Sequence, residues 1–299
     1  MVEKKPNFIV IGAMKAATTS LYTYLKQHPD IFMTKVKEPM FFNNFKQSND
    51  YKILGKKSEK LNSLEEYLSL FSSVENESAI GEASPAYIYN KKAPQLIKEH
   101  LPDVKIIAIL RQPTDRAYSN FLHTRRADRE NVDSFSESIK IEQDRIKDNW
   151  SPLYHYIQKG YYSVQLQRYY DLFPKENIKI YLFEEIVKNP KETLKDIFKF
   201  LNVEENIKID TSKKSNVSGT PKGILGFILK KMRYYNMMPK FAISDYLPTF
   251  VVNLLFKSVY KETEKLDPVF RKELTDKFYK EEILKLEKLI DRDLRDWLI

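Results

Sequence analysis

A stretch near the amino terminus, Gly12-Ala13-Met14-Lys15-Ala16-Ala17-Thr18-Thr19-Ser20, gathers what an anion needs: a lysine, three hydroxyls and successive backbone amides. The apolar run before it, Phe8-Ile9-Val10-Ile11, reads as a buried strand, and Leu21, Tyr24 and Leu25 recur after it at helical spacing. A loop between a strand and a helix N-terminus presents amides that no helical carbonyl reaches, and the helix dipole adds positive potential there. The pattern therefore fits bound phosphate. A capped turn with a surface lysine is the plainer alternative. The loop departs from that of a nucleoside triphosphatase, in which lysine directly precedes the hydroxyl that holds magnesium; Lys15 stands three residues before Thr18.

A second polar corner follows the strongest strand signal in the chain, Val104-Lys105-Ile106-Ile107-Ala108-Ile109-Leu110. Arg111-Gln112-Pro113 ends that run ahead of a helix expected from about Thr114. A triphosphatase would place a metal-holding acid near this corner, where Arg111 stands instead. A P-loop small-molecule kinase is thus the alternative reading, and both corners weigh against it.

Strand-to-helix units must position these corners. His28-Pro29 closes the first helix, because the residue before proline is pushed out of the α region. A third strand is expected over Ile178-Lys179-Ile180-Tyr181-Leu182. It follows a helix carrying Val164, Leu166, Tyr169, Tyr170 and Phe173, and precedes one carrying Leu194, Ile197, Phe198 and Leu201, with Asn189 as N-cap and Pro190 as its first residue. The spacing of Phe270, Leu274, Phe278, Ile283, Leu286, Ile290, Leu294 and Trp297 predicts one long amphipathic helix or a broken pair. Alternating strands and helices imply a single α/β domain over 1–299, with a central parallel sheet of P-loop type flanked by helices. The apolar stretches within 223–260, broken by Lys230-Lys231-Met232-Arg233, Pro239 and Pro248, read either as buried helix packing or as an acceptor-side lid or interfacial insertion touching a membrane surface.

Composition narrows the chemistry. No cysteine is present, so disulfides, thiolate catalysis and thiolate-held metals are excluded, and four scattered histidines make a histidine-built metal site improbable. Lys and Arg exceed Asp and Glu, 50 to 41, and the resulting charge of +9 suits a polyanionic nucleotide or acidic polymer. The basic residues are dispersed and no nucleic-acid-binding motif is present, so nucleic acid is not the expected partner. No run approaches a membrane span, and Met1-Val2-Glu3-Lys4-Lys5-Pro6 lacks a signal-peptide core, which makes the cytoplasm the expected location.

Taken together, the residues resemble a known family. Lys15-Ala16-Ala17-Thr18-Thr19-Ser20-Leu21 with His28-Pro29 is similar to the 5′-phosphosulfate loop of the sulfotransferases, and Leu110-Arg111-Gln112-Pro113-Thr114-Asp115-Arg116-Ala117-Tyr118-Ser119 to their 3′-phosphate motif. Further matches are Lys37-Glu38-Pro39-Met40-Phe41-Phe42, Gly81-Glu82-Ala83-Ser84-Pro85-Ala86-Tyr87, Gly160-Tyr161-Tyr162, Phe200-Leu201, Asn216-Val217-Ser218-Gly219 and the closing Asp293-Leu294 with Trp297. The nearest branch holds heparan sulfate sulfotransferases and bacterial relatives.

The resemblance implies a donor, 3′-phosphoadenosine 5′-phosphosulfate, a product, adenosine 3′,5′-bisphosphate, and no metal. It implies that Lys15 serves the leaving oxygen, and that Ala16, Ala17, Thr18, Thr19 and Ser20 hold the 5′-phosphate. Arg111 and Ser119 take the 3′-phosphate, and Lys222 and Gly223 belong to a segment closing over the nucleotide. Glu38 is the expected general base and His123 its rival, while Glu82 orients substrate or lysine. The acceptor is expected to be a hydroxyl or amine of a carbohydrate or lipid-linked glycan. A relative that binds nucleotide or polyanion without transfer stays open as an alternative. The family commonly has glycine where Ala17 stands, so the loop is expected to use a helical or bridge conformation that alanine tolerates.

Overall fold

The computed structural model describes residues 4–45, 51–54, 61–212, 219–221, 260–262 and 265–299. Phe8–Gly12 forms β1, buried along its whole length, as a run of apolar and β-branched residues requires when helices cover both faces of a parallel sheet. The sheet is completed by β2 (Ile31–Met33), β3 (Ala79–Ala83), β4 (Lys105–Leu110) and β5 (Ile178–Leu182). All four pairings are parallel, in the order β2-β3-β1-β4-β5. Each buried Val, Ile, Leu or Phe of these strands contributes about 1.5–3 kcal/mol relative to exposure.

The sheet is flanked by helices in chain order: α1 (Thr18–Leu25), α2 (Phe41–Asn44), α3 (Leu64–Ser69), α4 (Ala93–His100), α5 (Pro113–Arg126), α6 (Phe135–Lys140), α7 (Glu142–Lys147), α8 (Tyr162–Tyr170), α9 (Phe183–Lys188) and α10 (Pro190–Leu201). Two more, α11 (Pro268–Phe278) and α12 (Lys280–Ile290), resolve the carboxyl-terminal periodicity as a broken pair. The α/β class and the three expected strands are borne out. Asn189 does occupy the N-cap of α10, but its side chain makes no capping bond.

Two strands lacked a periodic signal in the sequence. β2 is only three residues long. β3 carries Gly81, where an added Cβ would stand 2.2 Å from the Phe8 ring, and the acidic Glu82. β1 lies between β3 and β4, so the chain leaves it to opposite sides; the crevice at the carboxyl ends of these strands is where such sheets bind ligands.

Gly219–Pro221 pairs antiparallel with Tyr260–Glu262. The expectations for 223–260 as a lid or insertion, and for Lys222 and Gly223, fall on a segment outside the described residues, apart from Tyr260.

Candidate active site

The loop after β1 enters α1 through two left-handed residues, Lys15 at φ 70° and Ala17 at φ 64°. This corrects the expectation of a helical or bridge conformation at Ala17, which is the N-cap of α1 with φ 64° and ψ 17°. Turning the chain into the helix requires that conformation, at a cost of about 1–2 kcal/mol for a residue with a Cβ. Left-handed turns of this kind curl successive amides into a concavity for an anion, and no N-cap side chain occupies the amides at the start of α1. The loop is pinned by its own backbone: Ala13 N donates to Ile109 O (2.7 Å), Ala16 N to Ala13 O (3.2 Å) and Leu21 N to Ala17 O (3.0 Å). Gly12 is needed at the strand end, since an added Cβ would lie 2.6 Å from Ile88.

The structure brings Lys15 and Arg111 together. Arg111 Nη1 donates to the carbonyl of Lys15 at 3.2 Å, its guanidinium lies 4.6 Å from the Phe183 ring centre, and its own carbonyl accepts from Tyr162 Oη at 3.0 Å. Burial, followed by the charges of Arg126 and Arg111, pulls the Lys15 ammonium down to about 8, against the opposing charge of Glu38. Thr18 is buried; Thr19 and Ser20 are half-buried on the first turn of α1. Ser119 is half-buried on α5, two turns beyond Arg111.

Behind this motif the carboxyl-terminal helices hold the start of α5. Gln112 Nε2 donates to Thr275 Oγ1 (2.9 Å) and to the Trp297 carbonyl (3.2 Å), and Arg271 Nε bonds Asp115 Oδ1 at 2.9 Å.

The loop bearing Glu38 turns through two more left-handed residues, Glu38 at φ 60° and Met40 at φ 49°. The Glu38 side chain is about one-third exposed and pairs with Lys37 at 2.7 Å. Glu82 anchors this loop from beneath. It is fully buried, accepts from Ser84 Oγ at 2.7 Å and Tyr67 Oη at 3.3 Å, and is also bonded by Tyr87. Ser84 Oγ in turn accepts the Met40 amide (2.9 Å), and Tyr87 Oη accepts the Phe42 amide (3.3 Å). Burial pushes the Glu82 carboxyl up to about 7. In this structure Glu82 therefore reaches the loop that carries Glu38 and not open solvent.

His123, the rival base of the sequence reading, shares the electrostatic neighbourhood of Lys15. Burial and then the charges of Lys15, Arg126, Arg129 and Lys159 pull its imidazole down to about 4, so it is neutral at physiological pH. Arg126 Nη2 lies 3.4 Å from His123 Nδ1, and because an arginine N–H can only donate, Nδ1 accepts and the ring proton sits on Nε2. Sequence reasoning missed Arg126 and Lys159. The signal for Arg126 was the spacing of Ser119, His123 and Arg126, which puts them on one face of α5.

Comparison with known proteins identifies relatives of the whole chain. Residues 5–275 match the family described as sulfotransferase domain. A sulfotransferase of Alicyclobacillus acidocaldarius, known from its crystal structure, is 31% identical, covers 98% of both chains and superposes with a TM-score of 0.73. The membrane-associated sulfotransferase kil1 of Dictyostelium discoideum is 37% identical over 116 residues, 39% of this chain and 22% of its own. The bifunctional heparan sulfate N-deacetylase/N-sulfotransferase 4 of Mus musculus is 27% identical over 208 residues, 66% of this chain and 22% of its own. The chain thus spans about a fifth of the length of these two curated relatives.

Proposed function

The chain belongs to the sulfotransferase family, and from that premise we propose that it transfers the sulfonate of 3′-phosphoadenosine 5′-phosphosulfate to a hydroxyl or amine of a carbohydrate acceptor. The observation that carries the reading is the bond from Arg111 to the Lys15 carbonyl, which joins both anion-binding corners in one site. The residues fit the donor: left-handed Lys15 and Ala17 curl the loop amides for the 5′-phosphate, and the cations Lys15 and Arg111 flank it. The donor supplies a sulfonate held through an S–O bond to phosphate. The acceptor atom bonds to sulfur as that S–O bond breaks.

Lys15 offsets the charge that develops on the departing phosphate oxygen, and this interaction strengthens as the bond breaks. Arg111, with Ser119, holds the 3′-phosphate and so fixes the donor's register. Glu38 takes the proton the acceptor releases. We assign it over His123 because the accepting nitrogen of His123 already faces the Arg126 guanidinium, leaving a ring N–H toward any acceptor. His123 then serves as a hydrogen-bond donor, and Lys222 and Gly223 close over the nucleotide.

The carbohydrate class is supported by the heparan sulfate N-sulfotransferase among the relatives and by a second one described as carbohydrate sulfotransferase 15, 26% identical over 250 residues. Lipid linkage of the acceptor, peripheral contact with a membrane and a cytoplasmic location belong to the same proposal. Incubation with donor and glycan or lipid extracts, followed by mass spectrometry, tests it. A product heavier by one sulfonate, with release of adenosine 3′,5′-bisphosphate, is expected, and donor binding with no sulfonated product in any extract would count against transfer.

A further inference from the structure

Behind the phosphate loop lies a cavity of about 10 Å³, the space of a single small ion or water. Its wall includes Met14, Tyr89, Arg116, Lys159 and Gln165, and none of Lys15, Thr18, Thr19, Ser20, Arg111 or Ser119 lines it. Ala13 and Met14 of the loop form part of its surface.

Two buried cations meet there. Arg116, fully buried on α5, donates from Nη2 to the Tyr156 carbonyl, but its Nε and Nη1 have no partner among the described residues. Lys159 is 5% exposed, and among the described residues its ammonium reaches the weak acceptor Met14 Sδ (3.3 Å) and the face of Tyr89 (5.8 Å). The carboxylate that offsets them, Glu142 on α7, is engaged by the amides of Ile157 (2.7 Å) and Gln158 (2.9 Å). Two cations against one carboxylate leave a buried positive charge uncompensated, which is expensive unless a proton leaves or an anion enters.

We propose that this cavity binds one monovalent anion of chloride size, held by Arg116 Nε and Nη1 and the Lys159 ammonium. A lone water is the competing occupant: it would accept from Arg116 and donate to Gln165 Oε1, which also lacks a partner, but would leave the charge unbalanced. The charges acting on Lys159 are Arg116 on α5 and Glu142 on α7; Tyr89 after β3 faces it, and the imidazoles of His123 and the neighbouring His155 feel its charge. Burial first, then Arg116, draws the Lys159 ammonium down to about 7, with Glu142 opposing. Above about pH 7 anion binding therefore takes up a proton, and it weakens as pH rises through that value. The bound ion would brace the loop from behind, at Ala13 and Met14.

The test compares thermal unfolding of the full chain in sodium chloride and in sodium gluconate at one ionic strength, so that surface screening is matched. At about pH 6 chloride is expected to raise Tm by about 2 °C or more, with the gain lost by about pH 9 and in Lys159→Met. Crystals soaked in bromide should show anomalous density beside Arg116 Nε and Nη1, a readout that does not depend on the variant folding. Equal Tm in the two salts at the lower pH, a chloride gain that survives Lys159→Met, or a water at the Arg116 nitrogens in bromide would overturn the assignment.

Discussion

Arg111 donates from Nη1 to the backbone carbonyl of Lys15 at 3.2 Å, so the residue that opens the corner after β4 also fixes the backbone of the loop after β1. Its guanidinium stacks on Phe183 at 4.6 Å, an arrangement that a lysine ammonium cannot reproduce with the same fork of donors. Arg111→Lys should weaken binding of adenosine 3′,5′-bisphosphate by about 1.5–3 kcal/mol, roughly 10- to 150-fold, the range for lost charged hydrogen bonds. Adenosine 5′-monophosphate, which lacks the 3′-phosphate, should be affected much less. Calorimetry on both ligands, with and without magnesium, checks this; an equal loss for both would remove Arg111 from the 3′-phosphate.

If Lys15 faces the donor as proposed, donor binding depends on pH. Its ammonium is drawn to about 8 by burial and by Arg126 and Arg111, so the free protein loses this charge as pH rises through that value. A bound phosphosulfate or bisphosphate favours the charged form, so affinity should be level below about 8 and fall above it. In Lys15→Arg, whose guanidinium stays charged throughout, the decline should vanish. Titrations of the bisphosphate across this range decide it, and a wild-type affinity that does not change through the Lys15 range would contradict the placement of that ammonium.

Ala17 shows where the sequence stopped being legible. The strand Phe8–Gly12, the helix after it and the corner at Arg111 could be read directly, because apolar periodicity and proline placement are local signals. The left-handed turn at Ala17 could not, because alanine carries no sign of positive φ and the conformation is imposed by the bonds of Ala13 to Ile109 and of Leu21 back to Ala17. Glu82 and His123 were visible as residues, yet much of their surroundings comes from segments distant in sequence: Tyr67 and, through the nearby Ser84, the Met40 loop for the first, Lys15 and Lys159 for the second. Relief of the turn is measurable. Ala17→Gly should remove about 1–2 kcal/mol of strain while adding about 0.5–1 kcal/mol of unfolded-state entropy, a net stabilisation of about 0.5–1 kcal/mol. Tm should rise by about 1–3 °C with bisphosphate affinity retained; a lower Tm would mean that the methyl packing of Ala17 outweighs its strain.

Glu82 links loop geometry to pH. Its folded carboxyl titrates near 7, above the unfolded value of 4.5, because burial penalises the anion more than Ser84, Tyr67 and Tyr87 favour it. The folded state thus holds a proton that the unfolded state has released between these values, and stability contributed by Glu82 is full below 4.5 and lost as pH rises through 7. Glu82→Gln does not titrate, so its stability should decline less across that window in urea unfolding than that of the wild type. Parallel curves would show that Glu82 does not titrate differently in the two states.

Glu38→Gln should abolish turnover while leaving bisphosphate affinity near that of the wild type. A positioned general base contributes about 10²- to 10⁴-fold, roughly 3–5 kcal/mol of barrier, and glutamine keeps the shape of the side chain but cannot take the proton. The fold should survive, since the Glu38 side chain is about one-third exposed and pairs with the adjacent Lys37. His123→Gln is the contrasting variant. Glutamine can replace the Nε2–H donor but not an imidazole base, so a donor role predicts a loss of about tenfold or less, whereas a base role predicts a loss like that of Glu38→Gln. Lys15→Ala should impair both binding and transfer, because its charge is felt by the bound donor and more strongly by the departing oxygen. Single-turnover rates separate transfer from product release. If Glu38→Gln retains more than about a tenth of the wild-type transfer rate while His123→Gln falls by a hundredfold, the two roles must be exchanged.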